Sequence, residues 1–215
     1  MTGTVHVVVD VESDGQAPAL YSMVSLGAVV CAPPFKTTFG LQTRPISQDY
    51  VPEALAISGI TRAVHETYPD PAERVPDFVH WLRSLGRRPV MWSDNPAFDW
   101  QWVNFYLHRF AGENPFGYSA RRIGDLYCGI VGNIKAQSEW KKLRKTKHTH
   151  DPIDDATGNA EALYEIMHML RTRDVDARRL GRSDAVPGHG LNAKQNSSAL
   201  LRPRSLTTYA RSSPS

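Results

Sequence analysis

A mixed β-sheet flanked by α-helices, an α/β fold, is what the sequence predicts. Strand-like runs come first, within residues 5–44, and strands then alternate with amphipathic helices. At 215 residues the chain suits one domain of ordinary size plus an appendage, long enough to bury a core.

Residues 5–10 (VHVVVD) are a short β-branched run that reads as a buried central strand ending in a charge. SDGQAP breaks it, residues 23–31 (MVSLGAVVC) read as a second strand, and Pro33 and Pro34 end that one. Residues 36–44 read as a third, alternating strand of a meander, and VPEALAISGI suggests a short helix or turn. ERVPDFVHWLRSLG predicts a helix with Phe78, Leu82 and Leu85 on one stripe and Gly86 as its stop. PVMWSD is a further strand that delivers the chain to Asn95 and Pro96. FDWQWVNFYLHRF follows as an aromatic amphipathic helix ending near Gly112, and RRIGDLYCGIVGNI predicts a strand leading into a helix. Residues 152–173 predict the last helix, striped by Ala156, Ala160, Leu163, Met167 and Leu170. The domain is therefore expected over residues 1–173. Residues 174–215, basic and rich in Ser, Gly, Pro and Arg, are expected to form a tail, flexible or docked on a partner. Such a segment has too little apolar surface to offset its ordering entropy.

Apolar content of 41% and charged content of 22% place the chain among soluble globular proteins. No window approaches the roughly 18–20 apolar residues of a membrane span, so no membrane association is expected. MTGTVHVVVD has no basic stretch followed by an apolar one, so a secretory leader is not expected and a cytoplasmic location is. Cys31 and Cys128 lie far apart without metal-ligand spacing and read as buried thiols of a reducing compartment. The net charge of +3 hides an asymmetry. From Arg171 onward there are nine Lys+Arg and three Asp+Glu, leaving 16 basic and 19 acidic residues before it. A second basic cluster, KAQSEWKKLRKTK at 135–147, holds six Lys+Arg against one Glu. A solvated face and contact with nucleic acid phosphates explain these clusters equally well.

Carboxylates supply the chemistry. Asp10 and Glu12 stand two apart at the end of the first strand, so both project to one face, unless Glu12 already lies in the loop. Asp99 opens the aromatic helix, where the dipole alone favours a carboxylate, and Phe98 beside it reads as core. Asp94 reads as a cap or turn residue. In HTHDPIDDA, at 148–156, Asp151 suits the N-cap, Pro152 the first helical position and Asp154 the third, all without chemistry. Asp155 is rotated about 100° further, beside the buried stripe, and a carboxylate there needs a partner, most simply a metal. His150 precedes the helix and can lean over the same place. His148 reads as a solvated member of the basic cluster. A rival zinc site of His148, His150 and Asp151 lacks a further Cys or His at standard spacing.

Together these residues resemble the DEDDh family of 3′–5′ exonucleases, within the ribonuclease H-like superfamily, which includes ribonuclease T-like enzymes and proofreading subunits. The family's Asp-x-Glu motif matches Asp10-Val11-Glu12. Its Asn-x-x-Phe-Asp motif matches Asn95-Pro96-Ala97-Phe98-Asp99, and its His-x-x-x-x-Asp motif matches His150 through Asp155. SGIT at 58–61 and RRIGDL at 121–126 resemble further family segments, and the likeness spans residues 5–171. No Tyr stands four residues before Asp155, which disfavours the tyrosine subgroup. Ser13 stands where Thr is common, and Asp94 where His or Gly is common; neither departure removes a metal ligand. WSDNPAFD and LYSMVSLGAVV look closer to phage and bacterial exonucleases or exoribonucleases than to proofreading subunits.

The resemblance implies a ribonuclease H-like mixed sheet and a metal-dependent 3′–5′ exonuclease. Such an enzyme releases nucleoside 5′-monophosphates from 3′ ends of single-stranded DNA or RNA. It implies two divalent cations, Mg²⁺ or Mn²⁺, held by Asp10, Glu12, Asp99 and Asp155. Asp10 would bridge both, Glu12 and Asp155 would hold the ion that activates water, and Asp99 would act through water or on the second ion. His150 would be the general base. Ser13, Asn95 and Phe98 would bind substrate, Ser13 at the terminal 3′-OH, and Lys141, Lys142, Arg144, Lys145 and Lys147 would guide the phosphate backbone. A homodimer is compatible with these expectations. The alternatives are a catalytically silent nucleic-acid-binding module of the same fold and a carboxylate-pair hydrolase that works without metal.

Overall fold

The computed structural model describes residues 3–179, with side chains described as far as Thr172. Five strands form one sheet: β1 (Thr4–Ser13), β2 (Met23–Val30), β3 (Thr38–Gln42), β4 (Arg88–Ser93) and β5 (Ala120–Arg122). Their order is β3-β2-β1-β4-β5, with β1 antiparallel to β2 and parallel to β4. The mixed α/β sheet expected from the sequence is what forms. β1 lies at its centre because Val7, Val8 and Val9 have no exposed surface and need cover on both faces.

Helices supply that cover: α1 (Pro52–Ile57), α2 (Arg62–His65), α3 (Pro71–Ser84), α4 (Pro96–Ala111), α5 (Ile123–Val131) and α6 (Pro152–Arg179). Val7, Val9 and Val11 point to one face and pack with Phe78, Leu82, Trp102 and Tyr106 of α3 and α4. Val8 points to the other and packs with Ala156, Ala160, Leu163 and Ile166 of α6. The period of two then carries Asp10 and Glu12 onto the α6 face, the even side of β1. β1 runs through Glu12 and bulges between Glu12 and Ser13, so Glu12 lies in the strand and not in the loop.

Two glycines let α6 reach this face. A Cβ on Gly27 would lie 2.2 Å from the Pro152 carbonyl oxygen, and one on Gly40 would lie 2.6 Å from Ile153 Cδ1. Gly27 is the ladder partner of Asp10, so the start of α6 is held directly beside that carboxylate.

The basic segment has no helical periodicity, yet it folds into two short 3₁₀ turns, η1 (Ile134–Ala136) and η2 (Glu139–Leu143). Trp140, wholly buried in the α6-side core, pins it. The last helix continues to Arg179, past the expected end at 173; the rest of the expected tail, residues 180–215, lies outside the described residues.

Candidate active site

Three distant segments converge at the end of β1. Asp10 and Glu12 come from the strand itself, and Asp155 from the first turn of α6. Their ligand oxygens lie within 4.8 Å of one another. Asp99, in the first turn of α4, is tied to the same place through the backbone. Its Oδ1 accepts from Val11 N–H at 3.2 Å, between the two strand carboxylates, and its Oδ2 accepts from the Ser93 hydroxyl at the end of β4.

Burial makes this cluster hungry for positive charge. The Asp10 carboxyl is pushed well up, first by loss of water and then by the charges of Asp99, Glu12 and Asp155, while Arg144 opposes the shift. Glu12 rises to about 7, through burial and then Asp155. Asp99 also reaches about 7, through burial, although hydrogen bonds from Ser93 and Val11 act against the rise. An oxygen-only donor set that resists ionising when left alone suits a hard divalent cation, which would restore the charged form.

Asp155 is 1% exposed, and both its oxygens are engaged. Oδ1 accepts from Thr149 N–H at 3.1 Å and from Arg144 Nη2 at 3.0 Å. Oδ2 accepts from His150 N–H at 3.1 Å and lies 2.6 Å from His148 Nδ1. These backbone bonds hold His150 at φ +62°, a left-handed conformation uncommon outside glycine, and set its Nδ1 3.7 Å from Glu12 Oε1.

The cap logic of the opening turn holds for Asp151, whose Oδ1 accepts from Ile153 N–H at 2.8 Å and Asp154 N–H at 3.2 Å. Asp154 does not reach back to the cap; it accepts from the Thr149 hydroxyl at 3.1 Å. Neither carboxylate joins the cluster at Asp10.

Other expectations need correction. His148 is not a free member of the basic run, because its ring is paired with Asp155 and lies 4.3 Å from the His150 ring. Arg144 is not a surface guide either. Its side chain is 11% exposed and rests against α6 over Gly158, where a Cβ would meet its Nε at 2.6 Å. Lys141 is paired with Asp94 at 2.6 Å and Lys145 with Glu165 at 3.4 Å, which leaves Lys142 and Lys147 exposed without such a pair among the described residues. The Ser13 hydroxyl, expected to meet a terminal 3′-OH, is buried and donates to the Gly15 carbonyl at 2.6 Å. Asn95 is exposed at the start of α4 and makes no side-chain cap bond, while Phe98 is half-buried with its edge against Trp102.

Sequence reasoning missed Ser93 and Glu161. Glu161 accepts from Lys145 N–H, Thr146 N–H and the Thr146 hydroxyl, and so clips the segment leading to the histidines onto α6. No motif marks either residue: Ser93 reaches Asp99 six positions on, and Glu161 reaches back to Thr146 and Lys145, 15 and 16 positions before it. A cleft of about 410 Å³ opens at Asp10 and runs past Asn159, Arg144 and His148 to Lys141, Lys145 and Lys147. An acidic floor and a basic rim thus share one cavity.

No family model matches the sequence. A curated relative does: the chain is 33% identical over 181 residues to the 3′-5′ DNA exonuclease Cap18 of Escherichia coli, covering 80% of this chain and 96% of that protein. Among solved structures, the fold is similar to the nuclease domain of 3′hExo, a DEDDh family member bound to rAMP. The TM-score is 0.61 at 14% identity, over 76% of this chain and 92% of that one. It is also similar to cell-death related nuclease 4, at TM-score 0.61 and 15% identity over 77% and 64% of the two chains. The zinc-bound form of the E. coli ExoI–ssDNA complex aligns at TM-score 0.56 and 17% identity, over 82% and 42%.

Proposed function

Because the chain belongs to the DEDDh family of 3′–5′ exonucleases, we propose that it shortens single-stranded DNA from the 3′ end. The observation that carries this reading is the convergence of Asp10, Glu12 and Asp155 within 4.8 Å, with Asp10 also lining a cleft that it shares with Lys141, Lys145 and Lys147. The curated relative is named for DNA, which favours DNA over RNA as the substrate.

Asp10, Glu12, Asp99 and Asp155 would hold two divalent cations, with Mg²⁺ or Mn²⁺ favoured by the all-oxygen donor set. When bound, the pair supplies positive charge at both the attacking and the leaving oxygen of an in-line phosphoryl displacement. Asp99 is fixed by Val11 N–H and Ser93 close enough to Asp10 for its charge to raise that carboxyl, and it would take its share of the ions from there. His150 is the proton acceptor for the attacking water. Its side chain is 46% exposed and its Nδ1 lies 3.7 Å from Glu12 Oε1, which sets a ring nitrogen beside the carboxylate cluster within reach of a water. The product is a nucleoside 5′-monophosphate. Phe98 and Asn95, at the head of α4, offer an apolar edge and an amide to the terminal nucleotide.

The test is incubation of matched 5′-labelled DNA and RNA oligomers with Mg²⁺ or Mn²⁺, with and without chelator. A ladder of shortened DNA that vanishes with chelator and in Asp10→Ala is the expected result. RNA degraded faster than DNA would overturn the substrate assignment, and degradation that persists in chelator would overturn the metal.

A further inference from the structure

The same carboxylate that serves the acidic cluster also faces a second donor set of different chemistry. His148, His150 and Asp155 each offer a ligand atom, and these atoms lie within 4.8 Å of one another. We propose that these three residues form a softer cation site that takes Zn²⁺ and that filling it stops hydrolysis.

The donor set argues for the ion. Two imidazole nitrogens and one carboxylate oxygen match the three-ligand open sites of Zn²⁺, which binds nitrogen far better than Mg²⁺ does. The geometry argues for readiness. Asp155 is buried and already fixed by the N–H groups of Thr149 and His150, and such outer partners set a ligand's aim. The two imidazole rings stand 4.3 Å apart, edge to face, and both side chains are about half exposed, so an ion has an open path to them.

The consequence follows from sharing. Asp155 belongs to both donor sets, and a Zn²⁺ held by His150 occupies the nitrogen lone pair needed to accept a proton. The binding claim stands on the donor set alone, whereas the inhibition claim rests on the proposed function.

The test uses the full chain and Zn²⁺ itself, in two arms. Equilibrium dialysis measures Zn²⁺ affinity of the wild type, His148→Asn, His148→Gln and Asp10→Asn. Thermal melts check that each variant is folded. Both His148 variants are expected to lose about tenfold or more in affinity, while Asp10→Asn keeps it. The second arm titrates Zn²⁺ into Mg²⁺-supported hydrolysis, each protein being compared with its own zinc-free rate. The half-inhibiting Zn²⁺ concentration should rise in the His148 variants by the same factor as the dissociation constant. Unchanged affinity in both His148 variants, or loss of zinc binding in Asp10→Asn, overturns the site by placing the ion among the carboxylates. A wild type that binds Zn²⁺ through His148 but degrades nothing with Mg²⁺ overturns the inhibition claim together with the proposed function and leaves the site standing.

Discussion

Glu12 and Asp99 keep protons that the unfolded chain has already released. Burial lifts their carboxyls to about 7 from ordinary values of 4.5 and 3.8. Between those limits the native state binds more protons than the unfolded state. The stability these groups contribute is therefore intact below the unfolded values and drains away as pH rises through about 7. The melting temperature of the chelated protein should fall across that window more steeply than that of Glu12→Gln/Asp99→Asn. Saturating Mg²⁺ should flatten the wild-type fall, because an ion that binds only the ionised native cluster stabilises it. Identical pH profiles for wild type and double variant would show that these carboxyls are not held protonated. His150 makes the sharper kinetic prediction. Removing a positioned base costs about 10²–10⁴-fold, so His150→Ala should lower the single-turnover rate constant of hydrolysis by that order. Asp154→Ala, which removes only a partner of the Thr149 hydroxyl, should stay near the wild-type rate. Strand period paired Asp10 with Glu12 and helix-cap grammar set Asp155 apart from Asp151 and Asp154, but only the family resemblance joined these residues with Asp99 into one site. Ser93, Arg144 and His148 were not legible, since their contacts exist only once α4 and α6 have docked.

At the scale of elements, the site depends on how closely α6 approaches β2. Gly27 allows that approach, and Gly27→Ala places a methyl carbon 2.2 Å from the Pro152 carbonyl oxygen, a clash of a fixed Cβ against backbone that no rotamer relieves. Overpacking of this kind costs about 1–3 kcal/mol, so the denaturant midpoint should fall. Hydrolysis should fall further than stability explains, because Asp155 moves with the helix start while Asp10 and Glu12 stay in the sheet. A variant that is destabilised yet fully active would show that the carboxylates tolerate displacement. The sequence announced α3, α4 and α6 through caps, stripes and stop signals. Phe78, Leu82, Ala156, Ala160 and Leu163 are buried as expected, whereas Leu170, expected in the α6 stripe, is exposed and Ile166, outside that stripe, is wholly buried. The sequence was silent on η1 and η2, whose short turns carry no period and are fixed by one buried residue each, Ala136 and Trp140. Alternation of strands and helices also could not give the strand order. That order follows from the burial of Val7 to Val9 on both faces, a property of the assembled sheet.

For the molecule as a whole, an acidic floor must admit a polyanion, and the distribution of charge along the cleft decides which cations help. Composition suggested five basic residues as guides, but three are already spent on carboxylates: Lys141 on Asp94, Lys145 on Glu165 and Arg144 on Asp155. Lys142 and Lys147 are exposed without such a pair among the described residues, Lys147 lining the cleft and Lys142 standing next to the Lys141 that lines it, and are the ones able to neutralise phosphates. For single strands, each phosphate contact adds about 0.7 to the slope of log affinity against log salt concentration. Lys142→Ala/Lys147→Ala should therefore flatten that slope by about 1.4 when both contacts are made. Lys141→Ala should change it less, since Lys141 is already neutralised by Asp94 and is not counted among the free phosphate contacts. Fluorescence anisotropy with a labelled oligomer and Asp10→Asn as the background, so that no substrate is consumed, measures both slopes. Equal slopes in the double variant and its parent would mean that the strand enters along another face, and that the basic rim is a solvated surface after all.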